Sequence, residues 1–148
     1  MPEPATSCTD GDLAHAALMQ AARAMTETVR SRAAGAERNR RLHRETHEAL
    51  RDGGFYKIQM PARYGGLEMS HRTMLDVSVE LGRGCGSTAW IFSNIAAQNG
   101  IVAMASRQAQ DDVWAADNDA CTASSFPARG GRVERVAGGI VANGAWSF

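Results

Sequence analysis

Four polar side chains stand inside an otherwise apolar run: Ser93, Asn94, Gln98 and Asn99. Hydroxyls and amides in a buried helix need hydrogen-bond partners. Those partners are either neighbouring helices or a polar ligand at one end of the helix, and the residues alone leave both open. Trp90 and Trp146 carry flat indoles that fill a core or wall a planar ring. Ser124 and Ser125 fall in a predicted strand, where a hydroxyl bonds a strand neighbour or the heteroatom of a ligand.

Other chemistries find less support. The histidines are His15, His43, His47 and His71, and no G-x-S-x-G elbow accompanies them. His43 and His47 have the spacing of metal ligands on a helix, but they sit in a charged stretch without H-E-x-x-H, so no metal is assigned. Arg38, Arg40, Arg41 and Arg44 alternate with Glu45 and Glu48 as on a solvated, ion-paired face of the second helix. Gly82, Gly84 and Gly86 follow a helix rather than a strand and lack the Gly-Lys-Ser/Thr ending, which makes them a connector rather than a phosphate cradle. Cys8, Cys85 and Cys121 are odd in number and contain no C-x-x-C pair, against a disulfide framework or a zinc site. That usage fits a reducing, cytoplasmic setting. Sixteen basic and sixteen acidic residues balance, so no net field draws the chain to nucleic acid or to a membrane surface. No apolar run approaches the ~18 residues of a membrane span.

The elements that must carry these residues follow from periodicity. Leu18, Ala22, Met25 and Val29 predict a first helix from about Asp10 to Ala33, stopped by Gly35. Leu42, Thr46, Ala49 and Leu50 mark a second, ended by Gly53-Gly54. Pro61 and Gly65-Gly66 punctuate a connector. Ser70 caps a third helix with Met74, Val77 and Leu81 on one face. Ser87 or Thr88 caps a fourth, about Ala89 to Ala105, apolar all round and expected to be buried. Ser106 caps a short fifth helix containing Val113 and Trp114. Ala120 to Phe126 reads as a strand. Arg132–Val136 and Ile140–Phe148 flank the hairpin signal Gly138-Gly139. Helices first and strands second predict an α+β chain. Residues 1–9 form a disordered N-terminus, 10–118 an all-α helical domain, and 119–148 the first strands of a β-domain. The chain stops at Trp146-Ser147-Phe148, within an apolar strand-like run, and is therefore expected to be part of a longer protein.

Several stretches together resemble the acyl-CoA dehydrogenase superfamily. Gly53-Gly54-Phe55 with Pro61-Ala62-Arg63-Tyr64-Gly65-Gly66 is similar to its "GF…P..YGG" connector. Cys85-Gly86-Ser87-Thr88-Ala89-Trp90 resembles the "C-P-S-T-G-W" helix start of the oxygenase components of two-component flavin monooxygenases. Gly86 replaces the proline there, and Ala89 the glycine. Asp112-Val113-Trp114 resembles their "D-V-W". The stretch from Gly138-Gly139 to Gly144-Ala145-Trp146-Ser147-Phe148 resembles their hairpin. The dehydrogenases carry "T-E-P-x-x-G-S-D" where this chain reads Thr122-Ala123-Ser124-Ser125-Phe126-Pro127, without an acid. That departure favours the monooxygenase branch.

The resemblance implies a helical domain leading into a β-barrel-like domain, with a C-terminal helical bundle lying outside this fragment. It implies a hydroxylase that receives reduced flavin, FMNH2 or FADH2, from a separate reductase and uses O2 on an aromatic or polyketide-like small molecule, as a homotetramer. Trp90, Ser124, Trp146 and Ser147 would contact the flavin, and Gln98 with Ser124 the substrate. At the position of Gln98 phenol hydroxylases often carry His; Gln donates a hydrogen bond but is no base near neutral pH. With the bundle missing, the 148 residues alone are expected to bind flavin poorly. Two alternatives stay open: an acyl-CoA dehydrogenase-like enzyme desaturating a thioester, and a non-catalytic interaction module.

Overall fold

The computed structural model describes residues 10–124 and 128–146. Five α-helices precede an antiparallel hairpin: α1 (Asp10–Asn39), α2 (Arg44–Asp52), α3 (His71–Gly82), α4 (Gly86–Ala103), α5 (Arg107–Trp114), β1 (Ala128–Val136) and β2 (Gly139–Trp146). This is the helices-then-strands order that the periodicities predict.

The core lies where α1, α3 and α4 pack together. Leu18, Ala22 and Val29 of α1 meet Met74, Val77 and Leu81 of α3 and Ala89, Phe92 and Ala96 of α4. Leu50 of α2 and Phe55, Tyr56 and Ile58 complete the cluster. The rings of Phe55 and Phe92 meet edge to face at 6.3 Å, a favoured aromatic geometry. Burial of each large apolar side chain contributes about 1.5–3 kcal/mol. A smaller cluster of Met60, Tyr64 and Trp114 fastens α5 to the connector.

The connector folds back on itself. Leu67, Glu68 and Met69 donate backbone N–H bonds to the carbonyls of Lys57, Met60 and Ile58, at 2.9, 3.0 and 2.7 Å. Gly65 turns the chain at φ 79°, a region open to glycine. A Cβ on the next residue, Gly66, would lie 2.0 Å from the Met60 carbonyl oxygen.

Four expectations need correction. First, α1 does not stop at Ala33 but runs through Gly35 to Asn39. Glycine lowers helix propensity without forbidding the helix, and here it makes room, since a Cβ would sit 2.6 Å from His43 Nε2. Second, the arginines therefore do not share one face of α2: Arg38 lies in the last turn of α1, and Arg40 and Arg41 form the turn that follows. Third, α4 is buried on one face only, through Thr88, Ala89, Phe92, Ala96, Asn99 and Gly100. Trp90 and Ile101, on its other side, are exposed. Its N-cap is Cys85, ahead of the expected Ser87 or Thr88. Fourth, residues 120–124 form no strand. They pair with no ladder and are tied instead by Ala120 N–H to Asp117 O at 3.2 Å and by Thr122 to α4.

In the hairpin, Val136 pairs with Gly139 and Arg132 with Asn143, with a register irregularity between Arg129 and Arg132. Residues 130–146 are exposed on both faces, including Val133, Ile140, Val141 and Trp146.

Candidate functional site

Asn99 organises one end of the site. It is buried on α4, its amide donates to the Tyr56 carbonyl at 2.9 Å, and its Oδ1 accepts from the Thr122 hydroxyl at 2.7 Å. One side chain thus joins α4, the connector and the segment that carries Ser124. The partners demanded by the polar residues of α4 are in this case internal. Ser93 and Asn94 likewise bond back to the Trp90 carbonyl, at 2.9 and 2.8 Å. Gln98, beside Asn99, is half-buried.

Ser124 lies two residues beyond Thr122. Its Oγ is buried and finds no hydrogen-bond partner among the described residues. A buried hydroxyl without a partner is costly and marks where a ligand heteroatom or a water would be accepted. Among the described residues, the Trp114 indole N–H is the other buried side-chain atom of this kind.

Trp90 occupies the first turns of α4. Nine residues separate it from Asn99, which is about 13 Å along the helix. Its indole is half exposed and borders a cleft with Arg40, Arg41, Leu42, Ser87 and Ile91. Trp146, at the end of β2, is also half exposed. Ser125, Ser147 and Phe148, and the whole of residues 1–9, lie outside the described residues.

The electrostatics around these residues is local. Burial pushes the Cys85 thiol up, but hydrogen bonding to the Thr88 side chain and to the Thr88 and Ser87 amides outweighs it and holds the thiol below its ordinary value. Burial raises the Tyr56 phenol, whose hydroxyl lies 3.1 Å from His47 Nδ1. His47 thus serves an internal contact, and among the described residues no cluster of histidines, cysteines and carboxylates forms a metal site. A wider cleft of about 700 Å³ opens between the starts of α1 and α3. Its polar groups pair among themselves: His15 with Thr73 at 3.3 Å, His15 with Asp76 at 3.8 Å and Arg72 with Asp76 at 3.6 Å.

Sequence reasoning passed over two features. Arg40 and Arg41 read as part of a solvated run, and only the turn that ends α1 separates them from it. Tyr64 donates to Asp111 while Arg63 donates to Gln110, which docks α5 on the connector; the "D-V-W" resemblance pointed to α5 but not to this contact.

Residues 13–116 match the profile of the family described as acyl-CoA dehydrogenase, N-terminal domain. The chain belongs to the acyl-CoA dehydrogenase family. Within it, the chain is 37% identical to the oxygenase component of p-hydroxyphenylacetate 3-hydroxylase from Acinetobacter baumannii, over 93% of this chain and 32% of that protein. It is 36% identical to the flavin-dependent monooxygenase oxygenase subunit HsaA of Rhodococcus jostii, over 88% of this chain and 34% of that protein. The structure of XiaF from a Streptomyces species, in complex with FADH2 and glycerol, superposes with a TM-score of 0.83 at 30% identity, covering 93% of this chain and 34% of that one. The chain spans about a third of the length of the relatives it matches. Among the described residues, no helix is long and apolar enough to cross a membrane.

Proposed function

We propose that this chain forms the N-terminal part of the oxygenase component of a two-component flavin monooxygenase. Reduced flavin, FMNH2 or FADH2, comes from a separate reductase, and the substrate is an aromatic or polyketide-like small molecule. The assembly is a cytoplasmic homotetramer. Residues 10–118 form its helical domain, and 119–148 open its β-domain. The observation that carries the reading is the buried hydroxyl of Ser124, unpartnered among the described residues. It stands at the position where the monooxygenase resemblance puts flavin and substrate together. The names of the relatives, all oxygenases where the family name alone would suggest a dehydrogenase, support the same branch.

By type these residues suit a flavin, with Trp90 on the exposed side of α4 and Ser124 tied through Thr122 and Asn99 to its buried face. Ser124 offers one hydroxyl for a ring heteroatom or a substrate oxygen, while Trp90 and Trp146 offer flat apolar surface for the ring. Ser147, next to Trp146 in the sequence, brings a second hydroxyl to the proposal, and Gln98 donates to a substrate oxygen. When bound, the reduced flavin supplies the electrons that activate O2. The chain's own part is to orient and to exclude water: Asn99 fixes the Thr122–Ser124 segment against α4. The test is oxygen uptake by the full-length protein with a flavin reductase, NADH and phenolic substrates. Uptake coupled to hydroxylated product is expected. Reduction of an electron-accepting dye by an acyl-CoA, without oxygen incorporation, would overturn the reading in favour of a dehydrogenase.

A further inference from the structure

We propose that the cleft between the turn ending α1 and the first turns of α4 binds a flat aromatic ring that carries an oxyanion, with Arg40 and Arg41 on the anion and Trp90 on the ring. The cleft measures about 490 Å³, within the usual range of small-molecule pockets. Both arginines are exposed, and among the described residues neither forms an ion pair, although Arg44 next along the chain pairs with Glu48 at 2.7 Å. Glu37 also lines the cleft; it offsets one of the two positive charges and leaves an excess of one. Guanidinium groups suit carboxylate or phosphate through paired N–H donors. The half-exposed indole gives a planar ring a surface to stack on, and Ser87 adds a hydroxyl.

The backbone puts an arginine where glycine is usual. Arg40 N–H bonds to the Glu37 carbonyl at 3.1 Å and Arg41 N–H to the Ala36 carbonyl at 3.2 Å, which closes α1. In this type of helix ending the residue at the left-handed position is commonly glycine. Here it is Arg40, at φ 52°. Glycine would adopt that conformation without strain, so the arginine brings a side chain to the cleft at the expense of backbone ease.

Two sources share this ligand chemistry: the phosphate end of flavin mononucleotide and the carboxylate of an aromatic acid. The cleft shares Trp90 with the proposed flavin site, so the identity of the ring rests on that reading, whereas the requirement for charge does not. Equilibrium dialysis of the full-length protein against flavin mononucleotide and riboflavin, and against phenylacetate and phenylacetamide, separates the sources. The anionic member of at least one pair is expected to bind about tenfold tighter or more, as for one or two charge-assisted hydrogen bonds. Preference within the flavin pair alone assigns the phosphate, and preference within the acid pair alone assigns the carboxylate. Arg40→Gly, which relaxes the backbone, and Arg41→Gln should each reduce the preference while the thermal midpoint holds or rises. Equal affinity within both pairs, or a preference that survives both substitutions, overturns the proposal. Charge preference without oxygen uptake sinks the monooxygenase reading and leaves the cleft; uptake without charge preference does the reverse.

Discussion

The Thr122 hydroxyl donates to Asn99 Oδ1 at 2.7 Å, and this bond holds the segment leading to Ser124 against the C-terminal part of α4. The same amide donates to the Tyr56 carbonyl, so both ends of the Asn99 side chain are used. Asn99→Ala would strand that carbonyl and the Thr122 hydroxyl. A loss of about 1–3 kcal/mol is expected for buried groups left unpaired, read as a lowered midpoint in urea denaturation. Thr122→Val removes only one of the two bonds and should cost less. Equal costs would show that Asn99 does not bridge the two segments.

What the sequence made legible depended on whether the signal was local. Ser70 and Ser106 accept from the N–H groups of Thr73 and Ala109, and cap chemistry of this kind is complete within four residues. The hairpin at Gly138-Gly139 is equally local. Gly35 was misleading because whether glycine ends a helix depends on what passes beside it, here the His43 ring from the following turn. Residues 120–124 hold a single strongly β-favouring residue, Thr122, and no partner strand in the described structure, and a strand is defined by its partner. The exposed side of α4 was hidden for a related reason: apolar composition reports a preference for burial and not which face obtains it. Of the candidate site, Ser124, Asn99 and Trp90 could be named from their types, but the bond between Thr122 and Asn99 spans 23 residues and carries no signature in spacing.

Gly66 and Gly86 predict opposite responses to the same substitution. A Cβ at Gly66 would press within 2.0 Å of the Met60 carbonyl oxygen, a backbone atom that cannot swing aside. Gly66→Ala should therefore disrupt the fold-back of the connector and lower the thermal midpoint by several degrees or abolish folding. At Gly86 a Cβ meets nothing within 4 Å. Since the residue is helical, Gly86→Ala should hold or raise stability, by up to about 1 kcal/mol. Calorimetry of the two variants side by side checks the contrast.

Acid should loosen the same region through Asp119. Its carboxylate lies 2.6 Å from Lys57 Nζ, and the hydrogen bond from Lys57 holds it below its ordinary value of 3.8, against the opposing effect of burial. A group whose folded value is depressed stabilises the fold above its unfolded value and loses that contribution as the pH falls through the folded one. The increment is thus present at neutral pH and disappears below about pH 4. Because Asp119 is half exposed, it amounts to about 0.2–1 kcal/mol. Asp119→Asn should lower stability at pH 7 and leave a shallower decline between pH 5 and 2, measured by denaturant titration across that range. An unchanged slope would show that the pair contributes nothing.

Ser124 offers the sharpest separation between a structural and a ligand-binding role. A hydroxyl that packs for stability has an internal partner, as Thr122 has in Asn99. Ser124 Oγ is buried without one among the described residues. Deleting a bonded hydroxyl destabilises, but deleting an unpartnered one removes an unsatisfied polar atom and is neutral or stabilising. Ser124→Ala should therefore leave the unfolding midpoint unchanged or slightly raised. If the hydroxyl meets a flavin heteroatom or a substrate oxygen, the same substitution should weaken flavin or substrate binding by about 1–3 kcal/mol, which is roughly fivefold to more than a hundredfold in Kd. Thr122→Val, two residues away, should show the reverse pattern, with lowered stability and a smaller effect on binding. Denaturation and ligand titration of both variants of the full-length protein distinguish the two roles. Destabilisation by Ser124→Ala with unaltered affinity would remove Ser124 from the site and return it to the packing of the 120–124 segment.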